Sequence, residues 1–146
     1  MGETRTAEAT WNGDLITGNG TINYVSSGAI SRLPVTWASR TEAHNGKTSP
    51  EELIAAAHAA CFSMAFSAQL ARNGTPPGTL ETTAAVTFDK VEAGWKITRS
   101  DITVRGTVPD IDDAKFQELA IAARDGCPVS VALKGNVELS VDATLT

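Results

Sequence analysis

For eighteen residues, from Leu53 to Leu70, the chain contains no Asp, Glu, Lys or Arg. A surface helix needs a charged face, so a helix through this stretch is expected to be buried on most sides. His58, Ser63, Ser67 and Gln69 within it argue against a membrane span. Cysteine is scarce as well: two in 146 residues are too few for a disulfide scaffold or a thiolate zinc site, so no metal and no cofactor are expected. Basic residues are in the minority, with 12 Lys and Arg against 17 Asp and Glu. No basic stripe forms, which argues against nucleic acid as a partner. No apolar segment near the start resembles a signal peptide, so the reading is of a cytoplasmic protein without a membrane partner. A hydrophobic content of 42% and a charged content of 20% fit one globular domain over residues 1–146.

The charge-free stretch opens like a helix. Ser49 can cap free backbone N–H groups, and Pro50 suits the first helical position. Glu51 and Glu52 sit where the positive end of the helix dipole favours carboxylates, and Ser49 to Glu52 is a capping-box spacing. Asn73-Gly74 stops the helix near Arg72. Before it, Ala9-Thr10-Trp11, Thr21–Val25 and Leu33–Trp37 read as a three-stranded antiparallel meander, followed by a polar loop over 41–48. After it, residues 80–90 and 95–108 read as a hairpin around Glu92-Ala93-Gly94. Asp112 precedes a helix with Ala114, Phe116, Leu119, Ala120 and Ala123 on its apolar stripe. Cys127-Pro128 opens a short helix, and residues 137–145 form a last strand. The order is βββ-α-ββ-αα-β, an α+β fold with antiparallel sheets around a central buried helix.

Cys61 lies inside the charge-free helix and Cys127 at the start of a short one. By residue type alone the two thiols read equally as inert core or as redox chemistry. Arg40 alone reads as a solvated loop residue, and Glu51 as a first-turn charge. His58, three residues before Cys61, would suggest acyl chemistry if the two were paired. His44 lies in a polar loop, and no nucleophile elbow accompanies either histidine, so His58 reads as structural. Phe62, Met64 and Phe66 read as core, or as the lining of an apolar channel.

The segments Pro50-Glu51-Glu52-Leu53, Ala59-Ala60-Cys61-Phe62-Ser63-Met64 and Gly126-Cys127-Pro128-Val129-Ser130, in this element order, resemble the OsmC/Ohr family of thiol peroxidases. Within it the chain resembles the OsmC branch. The Ohr branch carries its arginine in the first strand–turn region, where Trp11-Asn12-Gly13-Asp14 stands here, whereas Arg40 occupies the OsmC position before the long helix. The resemblance implies a peroxidatic Cys61, a resolving Cys127, an activating Arg40 and Glu51 as its carboxylate partner. It also implies an intertwined homodimer, a hydroperoxide substrate and an external dithiol reductant, a dihydrolipoyl group in some members. Two other classes stand beside this: a non-catalytic dimer with two buried cysteines, and a redox sensor using the same thiols.

Helix geometry adds an expectation about the dimer. Glu51 and Cys61 are ten positions apart, an axial rise of ~15 Å on a continuous helix. A carboxylate at Glu51 is thus poorly placed to hold a cation beside its own chain's Cys61. A partner helix running antiparallel across a two-fold axis would bring its Glu51 there.

Overall fold

A computed structural model of the chain describes residues 2–146. The chain forms two compact units, Met1–Leu53 and Ile54–Thr146.

The first unit is built on an antiparallel meander of β1 (Ala7–Asn12), β2 (Asn19–Val25) and β3 (Ser31–Val35) in that spatial order. Its close packing needs glycine at one point: a Cβ on Gly20 would come within 2.6 Å of the Trp11 ring and 3.0 Å of Val35. All six residues of β1 are exposed. The segment expected to finish the third strand and run on as loop instead folds into a short helix, α1 (Trp37–Thr41). The cause is local. Thr36 and Ser39 form a reciprocal capping box, with the Ser39 N–H donating to Thr36 Oγ1 and the Thr36 N–H donating to Ser39 Oγ, both at 3.0 Å. Ser39 is buried, and its hydroxyl also donates to the Thr48 carbonyl at 2.9 Å. That bond ties α1 to the lead-in of the long helix.

The long helix, α2 (Pro50–Arg72), has the expected bounds. Its N-terminal cap forms by half: the Glu52 N–H donates to Ser49 Oγ at 3.1 Å, while the Glu52 carboxylate accepts from the Thr48 hydroxyl at 3.0 Å. α2 is long and apolar enough to cross a membrane by length and composition alone. Its side chains are nonetheless those of a core helix on one line. His58, Phe62, Phe66 and Leu70 recur every fourth residue and are fully buried.

These residues pack in the second unit on β4 (Thr79–Val91), β5 (Gly94–Thr107), α3 (Asp113–Gly126), α4 (Pro128–Leu133) and β6 (Glu138–Leu145). The rings of Phe62, Phe66 and Phe116 pack in sequence at a tilt, with centroids 5.5 and 5.0 Å apart. Ile102 and Val104 of β5, Leu119, Ala120 and Ala123 of α3 and Ala143 of β6 complete the core. Gly106 lets the Phe116 ring lie directly on β5, because a Cβ there would meet the ring at 2.8 Å.

Two expectations are corrected here. The sheets are not wholly antiparallel: β4 and β5 form the antiparallel hairpin, but β6 pairs with β5 in parallel register from Arg99↔Glu138 to Gly106↔Leu145. The two helices between β5 and β6 supply the long crossover that parallel pairing requires. Nor does the chain alone pack α2 on most sides. Ala57, Ala60, Met64, Ala68 and Ala71 form an exposed stripe, with Met64 71% exposed, because the rest of the second unit covers the His58–Leu70 line and its flanks but not this face.

Candidate active site

Arg40 and Glu51, predicted as partners, are joined in the first unit. The Arg40 Nε and Nη2 both donate to Glu51 Oε1, at 2.9 and 2.8 Å, and Nε also reaches Oε2 at 3.2 Å. Glu51 is buried, with its side chain 7% exposed, while Arg40 keeps 29% of its side chain open. A buried carboxylate with a forked bond fixes the guanidinium in place, which a surface ion pair would not do. The capped helix α1 carries Arg40, so its backbone is held as well. Trp37, one turn earlier, places its ring 5.9 Å from the Arg40 guanidinium carbon. Trp11, Leu15, Val35, Thr36, Trp37, Arg40 and Pro50 line a cleft of about 330 Å³. An apolar cleft with one cationic group in its wall suits an amphiphilic small molecule. Residue patterns alone did not single out Trp11 or Trp37. The Thr36-x-x-Ser39 spacing was the available sign that Trp37 and Arg40 share a helix.

In the second unit, Cys61 and Cys127 are both free thiols. The fold brings together two cysteines 66 positions apart in sequence, close enough that the Cys127 thiol acts on the acidity of Cys61. Burial pushes the Cys61 thiol up from its usual range. The Val129 N–H, directed at the same sulfur, opposes that rise, and the Cys127 thiol adds to it. Cys127 is fully buried and stands at the junction of α3 and α4. Its own N–H closes α3 on the Ala123 carbonyl, and its sulfur accepts the Ser130 N–H at 3.3 Å. A dithiol pair so placed can pass through a sulfenic acid to a disulfide without further oxidation.

His58 is not paired with Cys61. Its Nδ1 lies 2.6 Å from Ser100 Oγ and its Nε2 2.7 Å from Ser130 Oγ, all three residues being fully buried. Burial lowers its pKa, so the ring is neutral near pH 7. Phe62 and Phe66 are closed core and line no open channel. His44 is exposed in its loop. Among the described residues no group of three or more His, Cys, Asp or Glu could hold a metal.

Two free thiols facing each other on an α+β scaffold define a dithiol protein, and similarity to known proteins narrows this class. The family model for OsmC-like proteins matches residues 43–142, and the chain belongs to the OsmC/Ohr family. It is 44% identical over 132 residues to the peroxiredoxin OsmC of Escherichia coli (strain K12), spanning 90% of this chain and 91% of that one. To the organic hydroperoxide resistance protein of Xanthomonas axonopodis pv. citri (strain 306) it is 34% identical over 95 residues, 64% of this chain and 65% of that one. The crystal structure of the organic hydroperoxide resistance protein OhrB of Bacillus subtilis matches with a TM-score of 0.71 and 29% identity, over 95% of this chain and 98% of that one.

Proposed function

We propose that the chain reduces organic hydroperoxides at Cys61, forms a Cys61–Cys127 disulfide and is returned to the dithiol by an external dithiol. Family membership makes it a thiol-dependent peroxidase, and the relatives' names point to peroxides and to organic hydroperoxides among them. The observation that carries the finer reading is the facing pair of free thiols. The Cys61 thiolate attacks the outer peroxide oxygen and the O–O bond breaks. The alkoxide leaves with a proton as alcohol, and sulfur is left as sulfenic acid. The Cys127 sulfur then displaces hydroxide from Cys61, which departs as water. Arg40, held by Glu51, offers its guanidinium to the sulfur and to the charge developing on oxygen.

The two units work as one peroxidase domain in the cytoplasm, and two chains complete the site. Support for a homodimer comes from the exposed Ala57–Ala71 stripe and the exposed strand β1, surfaces that suit burial against a second copy. Physiological reductants of the dihydrolipoyl type fit the need for a small dithiol.

Cumene hydroperoxide consumption with a panel of dithiols tests this reading. Wild type is expected to turn over, and Cys61→Ser to be inactive. The cleft beside Arg40 adds a specificity. An alkyl or aryl tail gains roughly 25 cal/mol for each Å² of apolar surface it buries, and hydrogen peroxide gains nothing comparable. The value of kcat/KM is therefore expected to be higher for cumene hydroperoxide than for hydrogen peroxide. Equal values would remove the cleft from the substrate site, and full activity in Cys61→Ser would remove the mechanism.

A further inference from the structure

The peroxidase reading leaves one buried group without a task. His58 is fully enclosed, both ring nitrogens are engaged, and its Ser130 partner also touches the resolving cysteine. Ser130 Oγ lies 2.7 Å from His58 Nε2 and 3.3 Å from Cys127 Sγ. The three residues form a continuous line: thiol, hydroxyl, imidazole. A neutral imidazole has one N–H and one free nitrogen, and a hydroxyl both donates and accepts. With Nδ1–H donating to Ser100 Oγ, Nε2 accepts the Ser130 hydroxyl, and Ser130 Oγ accepts the Cys127 S–H. After the thiol proton moves, the same atoms serve the other charge state. Nε2–H donates to Ser130 Oγ, whose hydroxyl donates to the thiolate, joining the Ser130 N–H already on that sulfur.

We propose that His58 is a positioning residue that acts through the Ser130 hydroxyl, taking the Cys127 proton as that thiol closes on the Cys61 sulfenic acid. The inference rests on the peroxidase reading above. The step balances. Cys127 Sγ gives an electron pair to the Cys61 sulfur, the S–O bond breaks, and hydroxide leaves. The proton lodged on His58 returns as hydroxide becomes water, so one thiol and one sulfenic acid give one disulfide and one water. Cys127 is oxidised and Cys61 reduced, with no further reagent.

The surroundings suit a transient acceptor. The ring's hydrogen-bond partners are the hydroxyls of Ser100, from β5, and Ser130, from α4. Among the described residues no Asp, Glu, Lys or Arg is hydrogen-bonded to it, and the titratable group it reaches through Ser130 is the Cys127 thiol. An imidazolium therefore has no carboxylate to hold it. A purely structural histidine would need its two hydroxyl partners, but not the contact of one of them with a redox thiol.

Rapid quenching after one equivalent of cumene hydroperoxide separates the two chemical steps, with dimedone trapping the sulfenic acid and mass spectrometry reading the disulfide. In His58→Gln the sulfenic acid is expected to form at the wild-type rate, while closure at pH 7 slows roughly 10²-fold. The deficit is expected to shrink as pH rises, because hydroxide then removes the thiol proton directly. Ser130→Ala, which keeps the imidazole and interrupts the line, is expected to give the same split and the same pH profile. Near-UV circular dichroism checks that both variants are folded. Wild-type closure in both, or a slowing that is the same at every pH, would overturn the relay. Closure driven by diamide needs no peroxide. If the wild type forms no sulfenic acid yet diamide closure still depends on His58, the peroxidase reading fails and the relay stands.

Discussion

Arg40→Ala is expected to slow peroxide consumption at pH 7 by roughly 10²–10³-fold, the usual effect of removing a fixed donor from a developing oxyanion. Two effects add here. Burial raises the Cys61 thiol, so little thiolate exists near neutrality unless a cation favours it. The loss should therefore lessen as pH is raised and hydroxide deprotonates the thiol. Arg40→Ala also leaves the buried Glu51 carboxylate unpaired, which lowers stability. Adding Glu51→Gln to Arg40→Ala removes that charge. Thermal stability is expected to return while turnover does not. Peroxide assays and unfolding curves on the single and double variants separate the two effects. Wild-type turnover at pH 7 in a folded Arg40→Ala protein would reject the assignment.

The second large effect concerns which chain supplies the cation. Glu51 grips Arg40 of its own chain, so the two act as a unit. Ten positions along one helix separate Glu51 from Cys61, ~15 Å of axial rise, and in the proposed two-fold dimer each pair would serve the partner's Cys61. Glu51→Ala and Cys61→Ser are each expected to be inactive alone. Mixed in equal amounts under subunit exchange, half of the dimers are hybrids. One site in each hybrid joins an intact Arg40–Glu51 pair to an intact Cys61. Activity is therefore expected to recover to about a quarter of wild type. No recovery, with exchange confirmed by native mass spectrometry, would place the whole site in one chain.

What the sequence disclosed, and what it hid, follows from the range of each interaction. The bounds of α2 were legible because Ser49-Pro50 and Asn73-Gly74 are local signals. The meander and the hairpin were legible from alternation and turn residues. Helix α1 was missed because five residues give no periodicity, and only the Thr36–Ser39 box marks it. The parallel pairing of β6 was hidden because strand direction is set by the crossover and not by the strand's own residues. The stripe of α2 that its own chain leaves exposed was hidden for a similar reason. Absence of charge along a helix does not tell which of its faces its own chain covers. At the site, motif residues gave both thiols and Arg40–Glu51. The His58 contacts reach 42 and 72 positions along the chain, to serines that no local pattern distinguishes.

The central claim is that Cys61 takes the peroxide oxygen and Cys127 resolves it. Peptide mapping by mass spectrometry after one equivalent of cumene hydroperoxide tests this most directly, on wild type and Cys127→Ser in parallel. Wild type is expected to lose both thiols together as a Cys61–Cys127 disulfide. Cys127→Ser is expected to carry added oxygen at Cys61 and to advance to sulfinic acid with excess peroxide. Oxidation at Cys127 with Cys61 still reduced, or two intact thiols in a folded protein, would contradict the account.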